Sequence, residues 1–210
     1  MNKIRVLYVE DDEEWRSGLA DFFSEHQEID LFAKVATIQE CFSILSREST
    51  DIVILDILLN DPKLTGLDAA LDITVQYPEV KIIMFSSLQD DDEIFNEAFL
   101  NGAYDYLYKD DFEKLLETIQ DAVNNKTSKY GTRLKKLVYE KKSNLLSAHD
   151  RILLLLIAEG QTQTQIANEL NVSLAAVKKQ IGRVMKKFNW KGTSLELADK
   201  CRKWGLLESD

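Results

Sequence analysis

The chain has 210 residues, 45% of them hydrophobic, and a formal net charge of −10, a length that suits one large core or two domains of roughly 100–150 residues. The longest apolar run, Ile152–Ala158, is far short of the about 20 residues of a membrane span, residues 1–10 lack the apolar stretch of a secretion signal, and Cys41 and Cys201 fit neither a disulfide framework nor a metal-ligand spacing. A soluble protein of the reducing cytoplasm, with no membrane contact, is expected. The charge is unevenly divided: residues 1–125 hold 28 acidic against 9 basic residues (net −19), and residues 126–210 hold 8 against 17 (net +9). That division is expected when one end of a chain meets a polyanion.

Strand and helix patterns alternate through the acidic half. Ile4–Val9 reads as a strand, and Trp15, Leu19, Phe22 and Phe23 recur on one face of a helix. Further strands are expected at Leu31–Ala36, Asp51–Leu55, Val80–Phe85 and Tyr104–Tyr108, with helices at Ile38–Arg47, Leu67–Gln76, Asp91–Leu100 and Phe112–Asn124. The third and fourth strands are nearly continuous apolar runs, as buried parallel strands require. Gly102 falls where a helix C-terminus calls for positive φ. Five strand-helix units with right-handed crossovers give an α/β, doubly wound, five-stranded parallel sheet. The polar stretch Asn124–Lys129 reads as a linker, followed by a short basic helix, Thr132–Lys141, with Leu134, Leu137 and Val138 on one face.

A smaller all-α domain is expected beyond it. Ser147 can cap a helix running to Glu159 and ending at Gly160, and Thr162 or Gln163 to Leu170 forms a second. After a turn at Asn171-Val172, Ser173 can cap a third helix to Phe188. Val177, Ile181, Val184 and Phe188 fall on one face of it, leaving Lys178, Lys179, Arg183 and Lys186 toward solvent. The organisation expected is therefore 1–124, a linker over 125–145, and 146–210.

Glu10 and Asp11 follow the first strand and Asp56 follows the third, so in a parallel sheet three carboxylates converge on one edge. Crowded like charges call for a cation, and a hard, oxygen-ligated ion such as Mg²⁺ suits them. Asp56 is then both a metal ligand and a nucleophile able to accept a phosphoryl group, and Lys109, ending the fifth strand, supplies a point charge for a phosphoryl oxygen. Taken singly, Glu10, Asp11 and Asp12 also suit plain helix capping. Asp56, directly after Ile-Val-Ile-Leu, needs a partner.

Tyr8-Val9-Glu10-Asp11-Asp12-Glu13, Asp51-Ile52-Val53-Ile54-Leu55-Asp56 and Gly102-Ala103-Tyr104-Asp105-Tyr106-Leu107-Tyr108-Lys109-Asp110 resemble the three signature segments of the receiver domains of two-component response regulators. The resemblance covers about residues 1–125. It implies an acidic pocket at Glu10 and Asp11, a phosphoacceptor at Asp56, a metal-coordinating backbone carbonyl at Leu58, and a phosphate-binding Lys109. It further implies an aromatic switch at Tyr106 and a hydroxyl at Ser86 or Ser87: Ser86 lies first past the apolar strand, whereas Ser87 has the commoner distance to Lys109. Two positions depart from the family. Pro62 and Gly66 stand six and ten residues after Asp56 instead of four and eight, an apparent two-residue insertion within Asn60–Thr65, and Asp110 replaces a common proline.

Residues 146–207 resemble the LuxR/NarL-type helix-turn-helix output domain through Leu146–Asp150, Ile157–Gly160, Gln165–Ser173, Ala176–Ile181 and Leu195–Leu207, the last as a final helix. The resemblance places Lys178, Lys179 and Gly182 toward a DNA groove, with glycine where a larger side chain is common. Together the two resemblances imply a phosphorylation-controlled transcriptional regulator, taking its phosphoryl group from a histidine kinase and binding double-stranded DNA as a homodimer. The alternatives are a phosphorylation-independent interaction module with a receiver fold and, with less in its favour, a phosphatase-like enzyme. No substrate-binding cap or second catalytic cluster accompanies the acidic site.

Overall fold

Strands buried on both faces need apolar side chains at successive positions, and Ile52-Val53-Ile54-Leu55 and Ile82-Ile83-Met84-Phe85 supply them with 1% exposure or less. In a computed structural model describing all residues except 1–2, 61–63, 90, 125–130 and 208–210, the first half alternates strand and helix. The order is β1 (Ile4–Val9), α1 (Glu13–Ser24), β2 (Ile29–Val35), α2 (Ile38–Leu45), β3 (Ile52–Leu55), α3 (Gly66–Gln76), β4 (Lys81–Ser86), α4 (Asp92–Leu100), β5 (Asp105–Tyr108) and α5 (Leu115–Asn124). All strand pairs are parallel in the order β2-β1-β3-β4-β5. This is the doubly wound α/β sheet expected, with its order reversing between β1 and β3, where a crevice opens at the strands' carboxyl ends.

Alternation along the strands divides the core. Leu7, Val9, Val53, Leu55, Ile82 and Met84 face α2, α3 and α4 with Ile38, Cys41, Ile73 and Phe99. Val6, Tyr8, Ile52, Ile54, Ile83 and Phe85 face α1 and α5 with Leu19, Phe23, Leu115 and Ile119. Cys41 and Cys201 are unbridged core residues, and burial pushes both thiols up to about 12.

Several boundaries differ from the sequence reading. β2 begins at Ile29, two residues early, because Ile29 is buried against the β1 start. β4 extends to Ser86. The helix expected from Phe112 begins at Leu115; Lys109–Lys114 form a 3₁₀ turn in which Asp111 leaves helical geometry. That turn brings Leu115 into the core, wholly buried, and leaves Phe112 at the surface. Pro62, Asp90 and the linker residues 125–129 lie outside the described residues.

The chain divides into two compact units, residues 1–136 and 137–210, with the division inside helix α6 (Gly131–Ser143). Of the three apolar residues expected on one face of that helix, Val138 is buried and Leu137 exposed. The second unit contains α7 (Ala148–Ala158), α8 (Gln163–Glu169), α9 (Leu174–Lys187) and α10 (Ser194–Lys203). Ser147, Thr162 and Thr193 each cap their helix reciprocally, and the Ser173 hydroxyl accepts the Ala176 N–H. Asn171, at φ +54°, makes the turn from α8 to α9. The final helix stops at Lys203, short of Leu207, because Gly205 at φ +73° turns the chain and lets Leu206 and Leu207 bury behind it.

Gly66 is constrained by close approach. A Cβ there would lie 1.9 Å from the Asp56 carbonyl oxygen, and the Gly66 N–H donates to the Ile57 carbonyl at 3.0 Å. Gly66→Ala should destabilise the receiver unit by at least about 1–3 kcal/mol. Gly18→Ala, in α1 with open space around it, should stabilise by about 0.5–1 kcal/mol. Urea unfolding of both variants checks the contrast.

Candidate functional site

β1 and β3 are hydrogen-bonded neighbours, so the residues just past their ends meet. The Asp56 N–H donates to the Val9 carbonyl at 3.0 Å, which sets Asp56 beside Glu10. Both carboxylates are buried, at 3% and 1% exposure. Lys109, just past β5, is also buried, with Nζ 2.6 Å from Glu10 Oε2 and 3.0 Å from Asp56 Oδ2. Asp56 Oδ1 accepts the Ile57 N–H at 2.6 Å, with the Leu58 N–H 3.4 Å away. Asp11, partly exposed, completes a trio with Glu10 and Asp56, whose donor oxygens can lie within 4.8 Å of one another. An all-oxygen set of this spacing fits a hard divalent cation.

The electrostatics follow from burial. Desolvation pushes Glu10 above the usual carboxylate range, against the lowering hydrogen bond from Lys109. Burial disfavours the Lys109 ammonium, but Glu10 and Asp56 outweigh it and leave its pKa raised. The cluster therefore holds a charged lysine between two acids.

Sequence reasoning brought together Glu10, Asp11, Asp56 and Lys109, and the structure places all four in one cleft. Asp12 stands apart as the cap of α1, accepting the Glu14 and Trp15 N–H groups. Leu58 follows in the loop, its side chain 54% exposed. Ser86 is wholly buried at the end of β4, whereas Ser87 is exposed. The Leu88 backbone joins Ser86 to Tyr106: its N–H donates to Ser86 Oγ and its carbonyl accepts from the Tyr106 hydroxyl, each at 3.2 Å. The Tyr106 ring is buried against Phe95 and Tyr108. Burial pushes its hydroxyl up to about 12, opposed by a hydrogen bond with Ser86.

Two contributors went unread in the sequence. The Tyr8 hydroxyl, inside β1, donates to Glu10 Oε2 at 2.9 Å. The Trp15 ring lies with its centroid 5.2 Å from Lys109 Nζ. Both residues look like core aromatics in a linear pattern, and Tyr8 could have been found only by noting that its hydroxyl needs an acceptor.

On α9, Val177, Ile181 and Val184 are buried and Phe188 half-buried, while Lys178, Lys179, Arg183 and Lys186 are exposed, with Gly182 among them. Lys187, one turn beyond Arg183 at the flank of that face, is tied to α7. Its ammonium donates to Asp150 Oδ2 and the Leu145 carbonyl, both at 2.8 Å, and Gln180 Nε2 donates to Asp150 Oδ1 at 3.3 Å. Asp150, near the start of α7, thus fixes α9 from behind. This pair was also unread, since Lys187 sits in a basic run and Asp150 reads as a capping residue.

A buried carboxylate beside a buried lysine at the sheet's switch point, in the same chain as a helix-turn-helix with a basic face, defines a class of signalling protein with a receiving and an output unit. Residues 6–120 match the response regulator receiver domain, and residues 144–196 match the bacterial regulatory proteins of the luxR family. The chain belongs to the response regulators, with a LuxR-type helix-turn-helix output domain; neither matched family is a family of enzymes. It is 28% identical over 198 residues to the response regulator protein VraR of Staphylococcus aureus, covering 88% of this chain and 90% of that one. RcsB, a response regulator of Salmonella typhimurium, shares the fold at TM-score 0.55 and 19% identity, over 95% of this chain and 100% of that chain. The response regulator domain of Thermotoga maritima CheB is similar at TM-score 0.53 and 28% identity, over 59% of this chain and 98% of that chain. Among the described residues, no helix is long and apolar enough to cross a membrane.

Asp150 yields a pH prediction. Burial alone would raise its pKa, but hydrogen bonds from Lys187, Ser147 and Gln180 prevail and hold it at about 2. A carboxyl depressed in the folded state stabilises fully above its unfolded pKa of about 3.9 and loses that contribution as pH falls through about 2. Asp150→Asn should cost up to about 2 kcal/mol at pH 6, reduced by screening at half-exposed Lys187, and the difference should shrink as pH falls toward about 2 and vanish below it. Urea unfolding in a Trp15→Phe background reads the output unit, where Trp190 and Trp204 lie.

Proposed function

We propose that Asp56 is the phosphoacceptor of this response regulator and that its phosphorylation, by a histidine kinase in the cytoplasm, governs DNA binding by α9. The observation that carries this reading is the buried Asp56 carboxylate, 3.0 Å from Lys109 Nζ and grouped with Glu10 and Asp11. An Asp56 carboxylate oxygen attacks the donor phosphorus, and the bond from phosphorus to the donor's histidine nitrogen breaks, its electron pair leaving with the donor. Glu10, Asp11, Asp56 and the Leu58 backbone carbonyl would hold Mg²⁺, which supplies charge neutralisation for the transferred oxygens. Lys109 turns its ammonium to a phosphoryl oxygen. Ser86, the buried hydroxyl of the two serines, donates to a second phosphoryl oxygen, and the backbone of residue 88 carries that change to Tyr106.

In the output domain, Lys178 and Lys179, with Arg183 and Lys186, form the DNA-contacting face of α9. A single short helix reads few base pairs, and two placed by a homodimer read half-sites about one helical turn apart. RcsB has been solved as two dimers bound to two parallel DNAs, and the same pairing is proposed for the phosphorylated chain.

A small phosphodonor with Mg²⁺ should add one phosphoryl group to the wild-type protein and none to Asp56→Asn, read by intact mass; equal uptake by the variant refutes the assignment. Lys178→Ala and Lys179→Ala should each weaken DNA binding several-fold and flatten its salt dependence, because fewer counterions are released. Electrophoretic mobility across a salt series measures both, and unchanged affinity in folded variants would exclude α9 as the DNA-binding helix.

A further inference from the structure

The Tyr8 hydroxyl takes no part in the phosphoryl transfer itself, yet it is fixed on the site. Its ring is wholly buried in β1, packed against Phe85 and paired across the sheet with Ile54. Residues two apart on a strand point the same way, about 6.6 Å apart, a span the tyrosine side chain can cover. Its hydroxyl therefore reaches Glu10, donating to Oε2 at 2.9 Å. A phenylalanine would satisfy the packing alone, and a buried hydroxyl is tolerated only with a partner.

Among the described residues, the Glu10 carboxylate has three donors. Oε2 faces Tyr8 and Lys109, and Oε1 accepts the Asp12 N–H at 3.2 Å. A carboxylate offers about four lone-pair directions, so one remains on Oε1, and another is released on Oε2 when Lys109 turns away. At that moment Tyr8 is the side chain still holding the Glu10 carboxylate, while Arg16 holds the Glu10 backbone carbonyl.

We propose that Tyr8 is a positioning residue for the cation site: its hydrogen bond keeps the Glu10 carboxylate directed at Asp11 and Asp56 when the cation binds, before phosphorylation as well as after Lys109 transfers to a phosphoryl oxygen. The inference rests on the reading of these carboxylates as a Mg²⁺ site. Groups that hold a metal's ligands commonly contribute 10–100-fold to its affinity.

Calorimetric titration of the full chain with Mg²⁺ alone, without phosphodonor, tests it. Wild type should bind saturably and Tyr8→Phe about tenfold more weakly. Ile54→Val, which trims the cross-strand neighbour and leaves the hydroxyl in place, should bind as wild type does. Phosphorylation of Tyr8→Phe by a small phosphodonor should be slowed at low Mg²⁺ and recover at saturating Mg²⁺. Equal Mg²⁺ affinity in Tyr8→Phe and wild type overturns the positioning role alone, as does an equal loss in Ile54→Val, which would make the effect one of packing. Wild-type protein that binds no Mg²⁺ overturns the metal-site reading and this inference with it.

Discussion

The buried ion cluster of Lys109 with Glu10 and Asp56 is the constraint on which the first unit is organised. Desolvating a carboxylate costs several kcal/mol, and the lysine buried between the two, with the Tyr8 hydroxyl and the Asp12 and Ile57 N–H groups, offsets that cost. The three charged residues leave β1, β3 and β5, so the ammonium can sit there only if the parallel register is kept. The 3₁₀ turn directly after Lys109 belongs to the same solution. It lets the chain leave the lysine at the sheet edge and still deliver Leu115 to the core. With two carboxyl groups against one ammonium, and Asp11 beside them, the cluster offers an all-oxygen set that fits a further cation.

Much of this was legible because apolar runs and their endpoints are linear features. Ile-Val-Ile-Leu followed by aspartate, and a lysine at the close of the last strand, can be placed on one edge from topology alone. The misses share a different cause. Tyr8 lies in an apolar run, and its hydroxyl matters through a partner that only three-dimensional proximity supplies. Phe112 has the spacing of a helix face with Leu115 and Leu116, but the lysine anchor before it overrode periodicity. Ser86 and Ser87 are adjacent and chemically identical in sequence. They separate only when the strand's pleat buries one and exposes the other.

In the output unit, the sorting of α9 followed from helical period, yet the sequence could not tell which lysine serves structure. Lys187 is tied down by Asp150 and a backbone carbonyl, whereas Lys178, Lys179, Arg183 and Lys186 stand in solvent. The division is physically useful. The buried Asp150 carboxylate fixes the orientation of α9 without neutralising its exposed basic face. The cap of α7 and the placement of α9 thereby share one carboxylate.

Gly66 has a consequence for how this part of the molecule can vary. Its N–H returns to the Ile57 carbonyl and its α-carbon lies against the Asp56 backbone, so the chain leaving β3 comes back to a fixed point before α3 begins. The return point is set by contact, not by residue count. A loop of any length between Asp56 and Gly66 must therefore return to that point, a loop two residues longer than the receiver pattern included. Loop length becomes a dimension along which this segment can vary while the Asp56 backbone keeps its contact with Gly66.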